Sequence, residues 1–320
     1  MVRLHVSATA LLLAAGTVVN AKPVLHPRDS PNNITARYDV GFDNSLVRTL
    51  KTTDVVPKIL YLDSEEYRTL ISPDNVTKME PFIPEQERNT INGYVRRWIN
   101  GKDSREQFTS REYPWRNVGR IGWSNGVVCS AALVGPRHIL TAKHCALIEN
   151  ASARFSPGYD NGEPFGAGQI VQIALNDVKG GSSCGTKNDW AVMVLDNKLG
   201  NKLGWFGVKV ADPGVRRDWP GFWSMGYPGD RDGTQRPYRV QGNPILSSKP
   251  WDCDGLGPVY TDTDVSGGQS GGPLWGRIGD KRYIWGTLSV GIQSGSESWS
   301  GWASGQEMVS AIERVRRDFP

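Results

Sequence analysis

The chain has 320 residues, with 37 lysines and arginines against 33 aspartates and glutamates, a net charge of +4. That charge is too small for the length to make nucleic acid or an anionic membrane the expected partner. A hydrophobic content of 38% with 22% charged residues excludes wholesale disorder. The 37 glycines follow no three-residue period, which excludes collagen and points to many tight turns in a β-rich fold.

In chain order, residues 1–21 read as a secretory signal: Arg3, an apolar run from Ala8 to Val19, then Val19-Asn20-Ala21 with small residues at the positions signal peptidase prefers. The run is short for a membrane span, and no later segment is apolar enough for one, so a secreted, extracellular product is expected. In that oxidising compartment the four cysteines, Cys129, Cys145, Cys184 and Cys253, argue for two disulfides. A zinc site is the competing reading, and it lacks C-x-x-C spacing. Neither a metal nor another cofactor is expected. Sequons at Asn33, Asn75 and Asn150 fit a glycoprotein.

The composition breaks at residue 97. All 12 tryptophans lie at or after Trp98, and only Gly16, Gly41 and Gly93 precede it. The stretch 22–97 is punctuated by prolines, carries 11 basic and 11 acidic residues, and ends in the dibasic pair Arg96-Arg97. It reads as a propeptide, and 98–320 as a mature domain of 223 residues, enough for a large core.

Within that domain, Val127 to Val134, His138 to Ala142, Trp190 to Leu195 and Tyr283 to Ile292 read as strands between Gly, Asn and Pro turns. Only the end looks helical, where Met308, Ile312, Val315 and Phe319 fall on one face. The class is all-β with a C-terminal helix.

Three segments carry chemistry. Ser270, in Ser266-Gly267-Gly268-Gln269-Ser270-Gly271-Gly272-Pro273, can sit on a tight turn with free backbone N–H groups. A serine hydroxyl is a weak nucleophile and needs a base. The segment also matches G-x-S-x-G, the elbow of α/β-hydrolases, but that fold places its histidine after the serine. Here His138 and His144, the two histidines of the mature domain, both precede Ser270. His144 follows a strand-like run and adjoins Cys145; His138 is the alternative base. Asp189 stands at the mouth of an apolar strand, where a carboxylate must accept hydrogen bonds. Holding an imidazole would satisfy it.

Together, T-A-x-H-C around His144, D-W-A-V-M-V-L around Asp189 and G-x-S-G-G-P around Ser270 resemble the trypsin/chymotrypsin-like serine peptidases, in that family's order. Tyr113-Pro114-Trp115-Arg116, Gly268-Gln269-Ser270 and a propeptide ending near Trp98 are most similar to the glutamyl endopeptidase branch. The resemblance implies two antiparallel Greek-key β-barrels, over about 98–205 and 206–304, followed by a helix at 305–319. It implies Ser270 as nucleophile, His144 as base, Asp189 as its orienting partner, and Gly268 and Ser270 N–H groups as the oxyanion hole. Ser289-Val290-Gly291 resembles the edge strand that pairs with substrate. A Cys129–Cys145 bridge is implied, which leaves Cys184 and Cys253 to each other. The implied partners are protein or peptide substrates, and the propeptide before processing, with the enzyme a monomer. A non-catalytic binding protein on the same fold, or an esterase, are the alternatives.

The sequence departs from the family at several points. Gln269 replaces the aspartate that receives the new N-terminal ammonium in trypsin-type zymogens. Arg120-Ile121-Gly122 looks like an activation site, but it lies among the first-barrel strands. Leu288 stands where the glutamyl branch carries a histidine, and Val265 where it carries a threonine. Asp264 occupies the position of trypsin's Arg/Lys-selecting aspartate. A basic or apolar residue is therefore expected before the cleaved bond, ahead of an acidic one.

Overall fold

The apolar runs fold as strands because each buries both faces, or one face and an edge, against its neighbours. The computed structural model describes residues 55–62, 76–84, 103–146, 148, 150–178, 182–211, 215, 217–294 and 297–320. The signal at 1–21, the Arg96-Arg97 boundary, Trp98 and the sequons at Asn33 and Asn75 lie outside the described residues. Asn150 is exposed in a turn.

Three short strands come first: β1 (Lys58–Tyr61), β2 (Lys78–Met79) and β3 (Glu106–Gln107). The first barrel follows as β4 (Val118–Trp123), β5 (Val128–Leu133), β6 (His138–Thr141), β7 (Ala153–Pro157), β8 (Gly168–Leu175) and β9 (Ala191–Leu195). Its ring runs β4-β5-β6-β9-β8-β7 and closes where β7 pairs with β4. The second sheet comprises β10 (Gly207–Lys209), β11 (Phe222–Gly226), β12 (Tyr238–Asn243), β13 (Val259–Thr261), β14 (Pro273–Ile278), β15 (Lys281–Ser294) and β16 (Glu297–Ala303). It runs β13-β16-β15-β14-β11-β12, and the bridge from Ile245 to Thr261 brings its ends together. Numbered from its own first strand, each ring has the cyclic order 1-2-3-6-5-4. The chain thus builds the same six-strand arrangement twice, as the two-barrel expectation requires.

The apolar residues divide accordingly. Ile121, Leu133, Ile139, Phe155, Ile170 and Met193 fill the first barrel, and Phe222, Leu274, Trp285 and Trp302 the second. A third cluster lies between, where Val118, Val192, Val194 and Trp275 meet Met308, Ile312 and Val315 of the C-terminal helix Gln306–Asp318. Phe319, expected on the same stripe, falls just past the helix end.

Two one-turn helices, Ser183–Lys187 and Leu199–Leu203, were not expected. Five residues are too few to show a helical period. The first is fixed instead by Ser182, whose hydroxyl accepts from Gly185 N–H at 3.0 Å, and by the Cys184–Cys253 disulfide. The other disulfide joins Cys129 to Cys145.

The stretch read as a propeptide contributes edge strands. β1 lies parallel to β8, from Lys58 beside Gln172 to Tyr61 beside Leu175. β2 lies antiparallel to β10, and Phe82 bridges Trp205 with the two rings stacked at 4.6 Å. Glu80 accepts from Lys281 Nζ and Tyr283 OH, each at 2.7 Å, and pairs with Lys78; these partners hold its carboxyl down at about 2. Leu62 is buried, and its N–H donates to Leu175 O at 2.9 Å.

His138, the alternative base of the sequence reading, is bonded to the C-terminal end of the chain. It is fully buried on β6, where its Nε2–H donates to Phe319 O at 3.0 Å. Burial, with the Arg316 guanidinium beside it, lowers the imidazole from its usual 6.5 to about 4. The unfolded chain therefore binds this proton more tightly than the folded one. The resulting stability is whole above pH ~6.5 and erodes as pH falls toward 4, by roughly 3 kcal/mol in the linkage relation. His138→Gln, which keeps a donor for Phe319 O, should flatten that part of the stability curve, as read by urea denaturation between pH 7 and 4.

Candidate active site

His144 lies on the single helical turn Lys143–Cys145 that follows β6, and Asp189 lies just before β9. β6 and β9 are neighbours, with Thr141 opposite Ala191, so the two side chains leave adjacent strand ends on the same side of the barrel. Asp189 Oδ2 is 2.7 Å from His144 Nδ1, and Oδ1 accepts from His144 N–H at 2.9 Å. Ser289 Oγ, from β15 of the second barrel, donates to the same Oδ2 at 2.7 Å. One carboxylate thus fixes both ends of the His144 residue and takes a bond across the barrel interface. With Asp189 as acceptor, Nδ1 carries the proton and Nε2 is the basic nitrogen. Nε2 is buried and has no partner among the described residues, so a bond to the Ser270 hydroxyl is not formed in this structure.

The serine loop is seated on the first barrel by contacts that meet both sides of His144. Ser130 N–H, in β5, donates to Ser270 O at 2.8 Å, and Cys145 Sγ lies 3.7 Å from the same oxygen. Ser130 Oγ donates to Gly268 O at 2.8 Å and accepts from Tyr227 N–H at 2.9 Å. Gly271 lies against β6: a Cβ there would stand 2.0 Å from Thr141 Oγ1 and 2.8 Å from Ala142 N. Ser130 was not singled out from the sequence, since one serine in an apolar strand carries no pattern.

Two N–H groups of the loop are free by the same geometry. Gly267 O accepts from Gly229 N–H at 2.7 Å, and Gln269 O accepts from Gly272 N–H at 2.9 Å. In a trans peptide the N–H points opposite to the carbonyl it follows. The Gly268 and Ser270 N–H groups are therefore turned away from those partners, and neither donates a hydrogen bond among the described residues. Two unused donors flanking Gln269 suit an anionic oxygen.

The residues expected to meet substrate lie on β15 and just before the serine loop. Ser289, Val290 and Gly291 belong to β15, paired with β16 through Gly301 and Ser300. A Cβ at Gly291 would stand 3.3 Å from Val265 Cγ2, which sets Val265 against that strand. Leu288 is buried in the apolar cluster of the second barrel. Asp264 is capped: its Oδ2 accepts from Ser104 N–H at 2.7 Å and Ser104 Oγ at 2.6 Å. Ser104 was not expected, because the two positions are 160 residues apart.

A family model described as Trypsin matches residues 103–304. A glutamyl endopeptidase of Bacillus licheniformis is 27% identical over 204 residues, 61% of this chain and 60% of its own length. An extracellular metalloprotease of Bacillus subtilis is 27% identical over 197 residues, 57% of this chain and 58% of its own. The chain thus spans about three fifths of the length of these curated relatives. Among the described residues, no three His, Cys, Asp or Glu side chains gather in a way that could hold a metal. The solved structure of a Glu endopeptidase in complex with MPD matches with a TM-score of 0.56 at 21% identity, over 68% of this chain and 98% of that one.

Gly268 is at φ +92°, and a Cβ there would stand 2.3 Å from Tyr227 O, whereas a Cβ at Gly267 meets nothing within 4 Å. Gly268→Ala should therefore cost about 2 kcal/mol or more and lower Tm by roughly 4–8 °C, with Gly267→Ala within about 0.5 kcal/mol of the parent. Calorimetry of the two variants side by side checks this.

Proposed function

The chain belongs to the trypsin-like serine peptidases, near their glutamyl endopeptidase branch, and from that premise we propose that it is a secreted serine endopeptidase made as a preproenzyme. Residues 1–21 would be the signal and 22–97 the propeptide, with the peptidase domain at 98–320 cleaved free after Arg97. The observation that carries the reading is the Asp189 carboxylate, bonded at once to His144 Nδ1, His144 N–H and Ser289 Oγ.

In this mechanism Ser270 Oγ attacks the carbonyl carbon of the scissile bond while His144 Nε2 takes its proton. Asp189 holds the ring and stabilises the imidazolium. The carbonyl oxygen becomes an anion between the Gly268 and Ser270 N–H groups. One such donor was worth about 3–4 kcal/mol where its loss was measured in another peptidase. The imidazolium then protonates the departing amine nitrogen, the C–N bond breaks, and Ser270 is left as an ester. Water attacks that ester, His144 takes the water's proton, and Ser270 Oγ recovers it as the acid leaves. Extended substrate would pair with the backbone of Ser289, Val290 and Gly291 as one more strand.

The relative's name points to glutamate, but the residues here favour another side chain. Leu288 and Val265 replace the histidine and threonine of that branch, and Ser104 occupies an oxygen of Asp264. A basic or apolar residue before the cleaved bond fits better than an acidic one. A peptide-library profile should be led by basic or apolar residues at that position, with acidic residues disfavoured; cleavage after glutamate would overturn this preference.

An organophosphonate should label Ser270, and Ser270→Ala should lose labelling and at least 10³-fold in turnover. Ser270→Ala that still cleaves peptides would refute the mechanism. A labelled wild type active on esters but not on peptides would make it an esterase, and an unreactive chain that binds peptide would make it a binding protein.

A further inference from the structure

Between the Arg97 boundary and the first barrel, Arg105 enters the second barrel beside the serine loop. Its side chain is only 7% exposed. Its five N–H donors are all used. Nε and Nη2 donate to Asp103 Oδ1 and Oδ2 at 3.1 and 2.8 Å, and Nη1 and Nη2 to Asp230 Oδ1 and Oδ2 at 2.8 and 2.6 Å. The fifth, from Nη1, reaches Gln269 Oε1 at 3.2 Å. Ser266 N–H donates to that same oxygen at 2.9 Å. Both neighbours can only donate, which fixes the amide with its oxygen toward them.

Gln269 stands between the two residues whose N–H groups are free, Gly268 and Ser270. Its side chain is buried, and its backbone N–H donates to Ser266 O at 3.1 Å. Rotation of Gln269 would turn both flanking peptides. Asp230 also accepts from Ser266 Oγ, so the guanidinium and its carboxylates hold both ends of the 266–269 turn. The position before the serine carries an uncharged amide, so an ammonium–carboxylate pair cannot form there.

We propose that Arg105 is a positioning residue for the oxyanion site: through Gln269 and Asp230 it locks the 266–270 loop with the Gly268 and Ser270 N–H groups facing substrate. It acts through the loop and touches no reacting atom. The inference rests on the serine-peptidase reading above. Only arginine has five donors in one plane, so lysine, with three, cannot replace it. The device is a side chain already in the strand-bearing segment, and it needs no new chain terminus.

The test compares wild type with Arg105→Met, Arg105→Lys and Asp230→Asn, with rates expressed per site titrated by the phosphonate. Arg105→Met should lose tenfold or more in kcat with KM changed less than threefold. Inhibition by a peptide aldehyde, whose tetrahedral adduct needs the oxyanion donors, should weaken by a similar factor. Arg105→Lys should recover little, and Asp230→Asn should lose several-fold in kcat. A folded Arg105→Met with kcat and aldehyde affinity within twofold of wild type overturns the proposal. Should Arg105→Met fail to fold, Arg105→Lys and Asp230→Asn both at wild-type kcat overturn it. A wild type that never reacts with the phosphonate overturns the peptidase reading, and this inference with it; a reactive wild type matched by its variants overturns this inference alone.

Discussion

His144 and the serine loop come from different barrels, and one buried residue of β5 bonds that loop and Tyr227 to the first barrel at three points. Ser130 gives its N–H to Ser270 O and its hydroxyl to Gly268 O, and takes the Tyr227 N–H. Each bond is worth about 1 kcal/mol net, but their removal would strand buried polar groups of the second barrel, a larger cost. The same bonds set the peptide planes of the serine loop. The Cys129–Cys145 disulfide adds a covalent constraint at the same place, because Cys129 precedes Ser130 and Cys145 follows His144. A bridge closing a loop of this length contributes about 3 kcal/mol in the chain-entropy model. Here it also ties the backbone beside His144 to the residue that seats the serine loop.

What the sequence made legible was local. His144, Asp189 and Ser270 each carry a motif in their immediate neighbours, and β5, β6, β9 and the C-terminal helix follow from runs of apolar residues with turn signals at their ends. What it hid was non-local. Ser130 meets Gly268 across 138 positions, and Arg105 meets Gln269 across 164. Neither lies in a pattern, and both gain meaning only when the barrels pack. Ser289 is an intermediate case: its place beside substrate was implied by resemblance, whereas its bond to Asp189, 100 positions away, has no local signal.

The same limit explains the N-terminal stretch. Balanced charge and scattered prolines gave no reason to assign strands to 22–97. β1 and β2 arise because β8 and β10 offer unpaired backbone along one edge, and an exposed edge recruits whatever extended chain is tethered nearby. The pairing is reinforced where Leu62 is buried and where Glu80 meets Lys281 and Tyr283. The Glu80 ion pairs are about half exposed and contribute little in water. The backbone bonds and the apolar contacts therefore carry the attachment. In the proposed processing, cleavage after Arg97 would leave these contacts in place.

The charges beside the serine loop bear on the substrate preference proposed above. An acidic side chain bound beside this loop would need a cation with donors to spare. Arg105 is the guanidinium bonded to the loop, and its five donors are committed to two carboxylates and an amide. Arg231, the next one along, is paired with Asp103 at 2.6 Å. The cluster is electrically balanced, two arginines against Asp103 and Asp230, so it presents little net field to an incoming carboxylate. Freeing Arg105 for such a ligand would break the bonds that hold the turn beside the Gly268 and Ser270 N–H groups. On the proposed function, a carboxylate ligand and the serine loop would compete for the same donors, and in the structure those donors are bonded to Asp103, Asp230 and Gln269.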